Sequence, residues 1–194
     1  MKDKLRAHIE QRVPLTDEEF AVVLAYFTLN QFRKHQFLIQ EDRSVKYCYY
    51  VASGLLKLVY TDQAAKQHIV SFAIEYWWEG DFQAFFTQSI ATISVECLKD
   101  TVVFGLSLDN FYKLCTQLPK FERFFLKLFI ECSVAGQQRI LSFMSNQAKD
   151  RYEQLLEQYP SLAQRVPKSL LASYLGVSRE TLSRLSVTKL IEYS

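Results

Sequence analysis

The stretch Pro167-Lys168-Ser169-Leu170-Leu171-Ala172-Ser173-Tyr174-Leu175-Gly176-Val177-Ser178-Arg179-Glu180-Thr181-Leu182-Ser183-Arg184-Leu185 reads as two short helices folded on each other. Each residue type fits a task. Pro167 is tolerated at a helix start, Gly176 can take the left-handed conformation of a tight turn, and Ser178 is a good N-cap. Ala172 is small where two helices must approach closely, and Leu171, Leu175, Val177, Leu182 and Leu185 supply an apolar wedge. The pattern predicts a helix-turn-helix over residues 167–186. Spacings of three and four bring side chains to one helical face, so Arg179, Glu180, Ser183 and Arg184 share the outer face of the second helix. A DNA major groove would meet that face. Arginine can bind guanine bidentately and glutamate can accept from cytosine N4, each pair contributing about 1 to 3 kcal/mol of discrimination. The blander reading is an i,i+4 ion pair between Glu180 and Arg184 on an ordinary helical hairpin. The joint offsets of Ala172, Gly176 and Ser178 favour the reader.

Charge placement agrees. The whole chain carries only +2, yet from Ala163 to Leu190 the cations Arg165, Lys168, Arg179, Arg184 and Lys189 face the single anion Glu180. A local basic excess is the electrostatic footprint of a nucleic-acid reader.

Upstream of this motif, Arg151 to Gln158 predicts an amphipathic helix through Tyr152, Leu155, Leu156 and Tyr159, stopping at Pro160. The polar run Ser145 to Asp150 places a domain boundary near Asn146. Before it, Phe121, Phe124, Phe125, Leu128, Phe129, Cys132, Ala135, Ile140 and Phe143 recur at threes and fours, an apolar face about six turns long. Such a helix is expected to pack one edge on a neighbouring domain and offer the other to a second subunit. Asp109-Asn110-Phe111 opens a short helix that ends before Pro119. Between Gln31 and Ser107, short segments rich in Tyr, Phe, Val and Ile alternate with turns at Ser53-Gly54, Thr61-Asp62, Glu79-Gly80-Asp81 and Lys99-Asp100, which predicts an antiparallel sandwich or barrel. Tyr47 to Ala52 and Leu55 to Tyr60 would flank Ser53-Gly54, and Gln67 to Phe72 would follow. Thr16-Asp17-Glu18-Glu19 is a capping box, and Phe20, Val23, Leu24 and Phe27 continue a helical stripe from it.

With 194 residues and 49% hydrophobic content the chain can bury a sizeable core. Its apolar runs, such as Phe20 to Leu29, are broken well short of a membrane span, and Met1 to Gln11 lacks the apolar stretch of a secretory signal. A cytoplasmic protein with no membrane contact is expected. Cys48, Cys97, Cys115 and Cys132 are scattered, as are His8, His35 and His68, so no metal framework or cofactor is expected and the thiols read as buried and free. An oxygenase of jelly-roll type needs clustered histidines and a carboxylate, and His68 has no histidine near it in sequence. Phosphate-loop, nucleophile-elbow and zinc-protease signatures are absent as well. No enzyme is expected.

Ser178-Arg179-Glu180-Thr181-Leu182-Ser183-Arg184 resembles the recognition helix of the Crp/Fnr regulators, and the order β-domain, long helix, helix-turn-helix is similar to that family over nearly the whole chain. The resemblance implies an α+β fold: a β jelly roll of cyclic-nucleotide-binding type with an N-terminal helix (1–118), a long dimerisation helix (119–146) and a DNA-binding domain (147–194). It implies a homodimer on double-stranded DNA, with Arg179, Glu180, Ser183 and Arg184 on the bases and Lys168 and Ser169 on phosphates. Two recognition helices would then enter successive major grooves about 34 Å apart on a near-palindromic site. A small-molecule effector and RNA polymerase are the further partners it implies.

Two departures qualify the resemblance. Family members that bind cyclic nucleotides carry a Gly-Glu and an Arg-Ser pair after a Gly-Asp like Gly80-Asp81. Here Gln83-Ala84-Phe85-Phe86 follows Phe82, with no Lys or Arg from Gln67 to Leu98. A cyclic phosphate would lack its countercharge, and a buried unpaired anion is costly. Cyclic AMP is therefore not the expected effector. The family's iron-sulfur branch uses an N-terminal cysteine cluster, whereas Cys48 is the first cysteine here. Trp77, Trp78, Phe85 and Phe86 form the candidate pocket for an apolar effector, with ordinary aromatic packing as the alternative. The second departure is a truncated wing, because only Leu185 to Ser194 follows the recognition helix. Lost backbone contacts weaken affinity more than base preference. The rival function is a ligand-binding or scaffolding module of the same fold that does not bind DNA.

Overall fold

In a computed structural model of the chain, the backbone is described for residues 1–192 and side-chain surroundings for residues 1–185. Helix α1 (Lys2–Glu10) comes first and buries Leu5, His8 and Ile9 at helical spacing. Helix α2 (Asp17–Tyr26) starts at the expected capping box, with the Thr16 hydroxyl accepting from the Glu19 amide and the Glu19 carboxylate accepting from the Thr16 amide. The helical stripe was expected to include Phe27. Instead the helix stops at Tyr26 and Phe27 opens strand β1 (Phe27–Phe32), opposite Leu106, with its ring against Trp78 and Phe104. Sheet pairing overrides the local periodicity there.

The remaining strands are β2 (Phe37–Ile39), β3 (Tyr47–Ser53), β4 (Leu55–Thr61), β5 (Gln67–Ile74), β6 (Trp78–Glu79), β7 (Ser94–Cys97) and β8 (Thr101–Ser107), with helix α3 (Phe82–Thr87) between β6 and β7. They form two four-stranded antiparallel sheets, in the orders β1-β8-β3-β6 and β2-β7-β4-β5. Strands β4 and β5 make the expected hairpin. Ser53-Gly54 is different: β3 and β4 lie in different sheets, so this dipeptide is the corner where the chain crosses between layers. Gly54 has φ of 129°, and a Cβ there would fall 2.3 Å from the Thr101 hydroxyl oxygen, so only glycine fits the corner.

Helices α4 (Leu108–Gln117) and α5 (Lys120–Ser145) follow, then α6 (Ala148–Gln158), α7 (Pro160–Arg165), α8 (Lys168–Leu175) and α9 (Arg179–Glu192). The first half of α5 lies on the β-domain through Phe121, Phe124, Phe125 and Leu128. Phe124 and Phe125 both pack on Trp78, and Phe124 also approaches His8 of α1. An Arg12–Glu131 ion pair ties the segment after α1 to α5 as well. The other edge of α5 leaves Leu126, Ile130, Val134, Ile140, Leu141 and Met144 exposed. No helix among the described residues is long and apolar enough to cross a membrane.

A second hydrophobic core lies on the outer face of β4 and β5. Leu55, Val59, Ile69 and Phe72 meet Leu155, Leu162, Val166, Leu171 and Leu175 from α6 to α8. Cys48, Cys97 and Cys115 are buried, as expected for packed thiols, but Cys132 on α5 is exposed because it lies beyond the part of the helix that covers the sheets.

Candidate nucleic-acid interface

The α8–α9 pair is built as its residues dictate. Gly176 ends α8 in the left-handed region (φ 70°, ψ 33°), its amide donating to Ser173 and Ala172, while the Val177 amide donates to Ala172 at 3.0 Å. This backward pairing satisfies helix-end carbonyls that would otherwise lack partners. Ser178 caps α9: its hydroxyl accepts from the Thr181 amide at 3.1 Å. Leu171, Ala172, Leu175 and Leu182 are buried between the helices and the second core.

That packing leaves the opposite surface in solvent. Arg179, Glu180, Ser183 and Arg184 are exposed on the first two turns of α9, and Lys168 and Ser169 are exposed at the start of α8. The Glu180 carboxylate is held below the ordinary range by its own backbone N–H and the Ser178 hydroxyl, with further attraction from Arg179 and Arg184. It therefore stays an acceptor at neutral pH. Ser186 onward continues α9 in backbone to Glu192; Tyr193 and Ser194, part of the segment expected as a truncated wing, lie outside the described residues. Arg165 leaves the cationic set. Its guanidinium is bound to Glu75 in a bidentate pair at 2.6 and 2.9 Å, and also donates to the Gly54 carbonyl.

The aromatic residues expected near an effector all pack in or against the main core, Trp77 and Phe86 as half-buried members. Trp78, Phe85 and Phe86 belong to the main core, where Phe86 touches Phe85, Phe111 and Phe129 and Trp78 packs on Tyr50, Phe124 and Phe125. Trp77 also meets Tyr159 edge-on at 5.0 Å. The indole N–H of Trp78 donates to His8 Nε2 at 3.2 Å; burial, and after it the nearby Arg12, push the imidazole pKa down to about 4, so the ring is neutral.

Glu79, which the sequence suggests lies in a turn, is a further residue of chemical interest. It is a buried acid on β6, accepting from Ser71 Oγ at 3.2 Å and from the Gly80 amide at 3.0 Å. Burial raises its pKa to about 7. Both residues of the two-residue β6 are buried, so no alternation in the sequence marks it. Asp81 caps α3 through the Ala84 amide and accepts from the Thr92 amide and hydroxyl.

Residues 29–117 match the family described as cyclic nucleotide-binding domain. No curated protein matches the chain in sequence. Among solved structures, FixK2 from Bradyrhizobium japonicum superposes with a TM-score of 0.74 at 18% identity, covering 86% of this chain and 85% of that one. The catabolite activator protein of Thermus thermophilus gives 0.60 at 19% identity, covering 95% and 87%. The c-di-GMP-responsive global regulator CLP of Xanthomonas campestris gives 0.70 at 14% identity, covering 91% and 93%. The chain thus resembles a cyclic nucleotide-binding domain over residues 29–117 and shares its overall fold with these three solved structures.

Proposed function

We propose that this protein is a sequence-specific DNA-binding transcription regulator of Crp/Fnr type, not an enzyme, acting in the cytoplasm as a homodimer. The observation that carries the reading is the exposed first face of α9, where Arg179, Glu180, Ser183 and Arg184 stand together behind a Ser178 cap. In this reading α8 and α9 are a helix-turn-helix whose second helix enters the major groove, with Lys168 and Ser169 on the backbone phosphates. The exposed apolar edge of α5, Leu126 to Met144, supports pairing with a second copy, since contiguous exposed apolar surface marks an interaction site. RNA polymerase is the further partner this class of regulator implies.

Cyclic AMP is not the effector in this reading. The segment from Gln67 to Leu98 contains no Lys or Arg, and the buried acid beside Gly80 is Glu79, which would repel a phosphate whenever it is ionised. Trp78, Phe85 and Phe86 act as core, so an apolar effector among them would have to displace aromatic contacts.

The test is selection from random duplexes, followed by titration of the recovered site. A near-palindromic site is expected, with affinity falling steeply as salt rises and unchanged by saturating cyclic AMP. Arg184→Ala should cost about 1 to 3 kcal/mol and relax preference at one position of each half-site. Recovery of no preferred sequence would favour the rival reading, a module of this fold that does not bind DNA.

A further inference from the structure

The last carbonyls of α8 show how the proposed reader is held. Four helix-end carbonyls need partners outside the helix ladder. The turn itself takes two, Ala172 and Ser173, through the amides of Val177 and Gly176. The other two are taken by arginines from elsewhere. Arg139 of α5 donates to the Tyr174 carbonyl at 3.3 Å, and Arg151 of α6 donates twice to the Leu175 carbonyl, at 3.2 and 3.0 Å. Cations at a helix C-terminus are favoured by the macrodipole as well as by the hydrogen bonds.

Phe143 is the ring both arginines share, 5.2 Å from Arg139 and 4.9 Å from Arg151. A Cβ at Gly176 would lie 3.1 Å from the Phe143 ring, so the turn sits directly on it. Arg139 reaches further. Its guanidinium stacks on Tyr174 at 3.6 Å, and the Tyr174 ring packs on Phe72 of β5 at 5.2 Å. One side chain therefore contacts the end of α8 from α5, through a ring that also rests on the β-domain.

We propose that Arg139 is a positioning residue: with Arg151 and Phe143 it locks the end of α8 to α5 and so sets how far apart two copies of α9 stand. This rests on the reading of α8 and α9 as a DNA reader. Arg139 touches no base in this scheme. It fixes the tilt at which bases are met, and hence the spacing of half-sites a dimer accepts. Lysine cannot substitute, because it lacks the planar fork that stacks and donates at once.

The experiment uses the full chain and the duplex recovered by wild-type selection, rebuilt with its half-sites one and two base pairs closer and further apart. For Arg139→Ala the expected result is an unchanged base preference within each half-site, affinity for the original spacing reduced about tenfold, and a flattened dependence on spacing. Arg139→Lys should behave as the alanine variant does. Wild-type affinity and spacing preference in Arg139→Ala would overturn the proposal, as would a loss of base preference with spacing dependence intact. Hydrogen exchange without DNA separates this proposal from the DNA reading. The amides of Gly176 and Val177 should exchange faster in Arg139→Ala than in wild type. Equal exchange overturns the lock even if DNA binds, and faster exchange supports it even if selection recovers no site.

Discussion

The protein has two hydrophobic cores of different kinds. The main one is closed: Tyr50, Trp78, Phe85, Phe121, Phe124 and Phe125 fill the space between the β-domain, α1 and α5, and most are within a few per cent of full burial. The second is a joint. Leu55, Val59, Ile69 and Phe72 on the outer face of β4 and β5 meet leucines of α6 to α8, and the Arg165–Glu75 pair and the Trp77–Tyr159 contact lie beside them. A core inside one unit supplies stability, whereas a core shared by two units also sets their relation. The difference assigns separate consequences to mutations that look alike on burial alone.

The largest effect is expected in the closed core. Phe124 is fully buried and touches His8, Trp78, Phe121 and Phe125. Phe124→Ala should cost about 3 to 5 kcal/mol of global stability, read by urea denaturation as a lowered midpoint with all probes moving together. Probes that separate in this variant would break the distinction between the cores.

In the joint, Leu162→Ala should cost about 2 to 4 kcal/mol, because Leu162 is 2% exposed. Its signature differs. The helical region from α6 onward should come away first, so that tryptophan fluorescence, to which Trp77 against Tyr159 contributes beside the core residue Trp78, begins to change at lower urea than far-UV circular dichroism. Non-coincident probes are the mark of a population that is neither native nor unfolded. Coincident transitions would mean that the two cores melt as one unit.

The same division explains what the sequence disclosed. Elements held by local chemistry were legible: the capping box at Thr16, the glycine turn at Gly176, the Ser178 cap, and the aromatic periodicity of α5 each act within a few residues. Misreadings fell where distant partners decide. Phe27 keeps helical spacing, but its pairing with Leu106 makes it a strand residue. Ser53-Gly54 has turn composition, yet only the position of Thr101 makes it a corner between sheets. Helix α1 is not legible locally because its charged residues hide three buried positions, among them His8, which packs on Tyr50 and Phe124. The exposed face of α9 could be read because helical spacing alone assembles it. Arg139, Arg151 and Arg165 could not, since nothing local says which carbonyl or carboxylate each will find.

The smallest predicted effect concerns Glu75, and it tests the joint by charge. Burial alone would raise the pKa of this carboxyl, but the Arg165 hydrogen bonds, the Gly54 amide and its own backbone amide outweigh that and hold it at about 2, against an ordinary 4.5. A carboxyl whose folded pKa lies below its unfolded one contributes stability above the unfolded value, and that contribution is lost as pH falls through the folded one. The window runs from about 4.5 down to about 2. Both side chains are about a quarter exposed, so solvent screens the pair and the gain is on the order of 1 kcal/mol. Glu75→Gln should be less stable than wild type at neutral pH by that amount, with the two unfolding curves converging as acid protonates Glu75. The amide oxygen of the substituted side chain can still accept from the Gly54 amide, so convergence isolates the ionic part of the contact. A difference that persists unchanged through this window would mean that Glu75 serves the joint by shape and neutral hydrogen bonding, and that charge contributes nothing to holding the helices on β4 and β5.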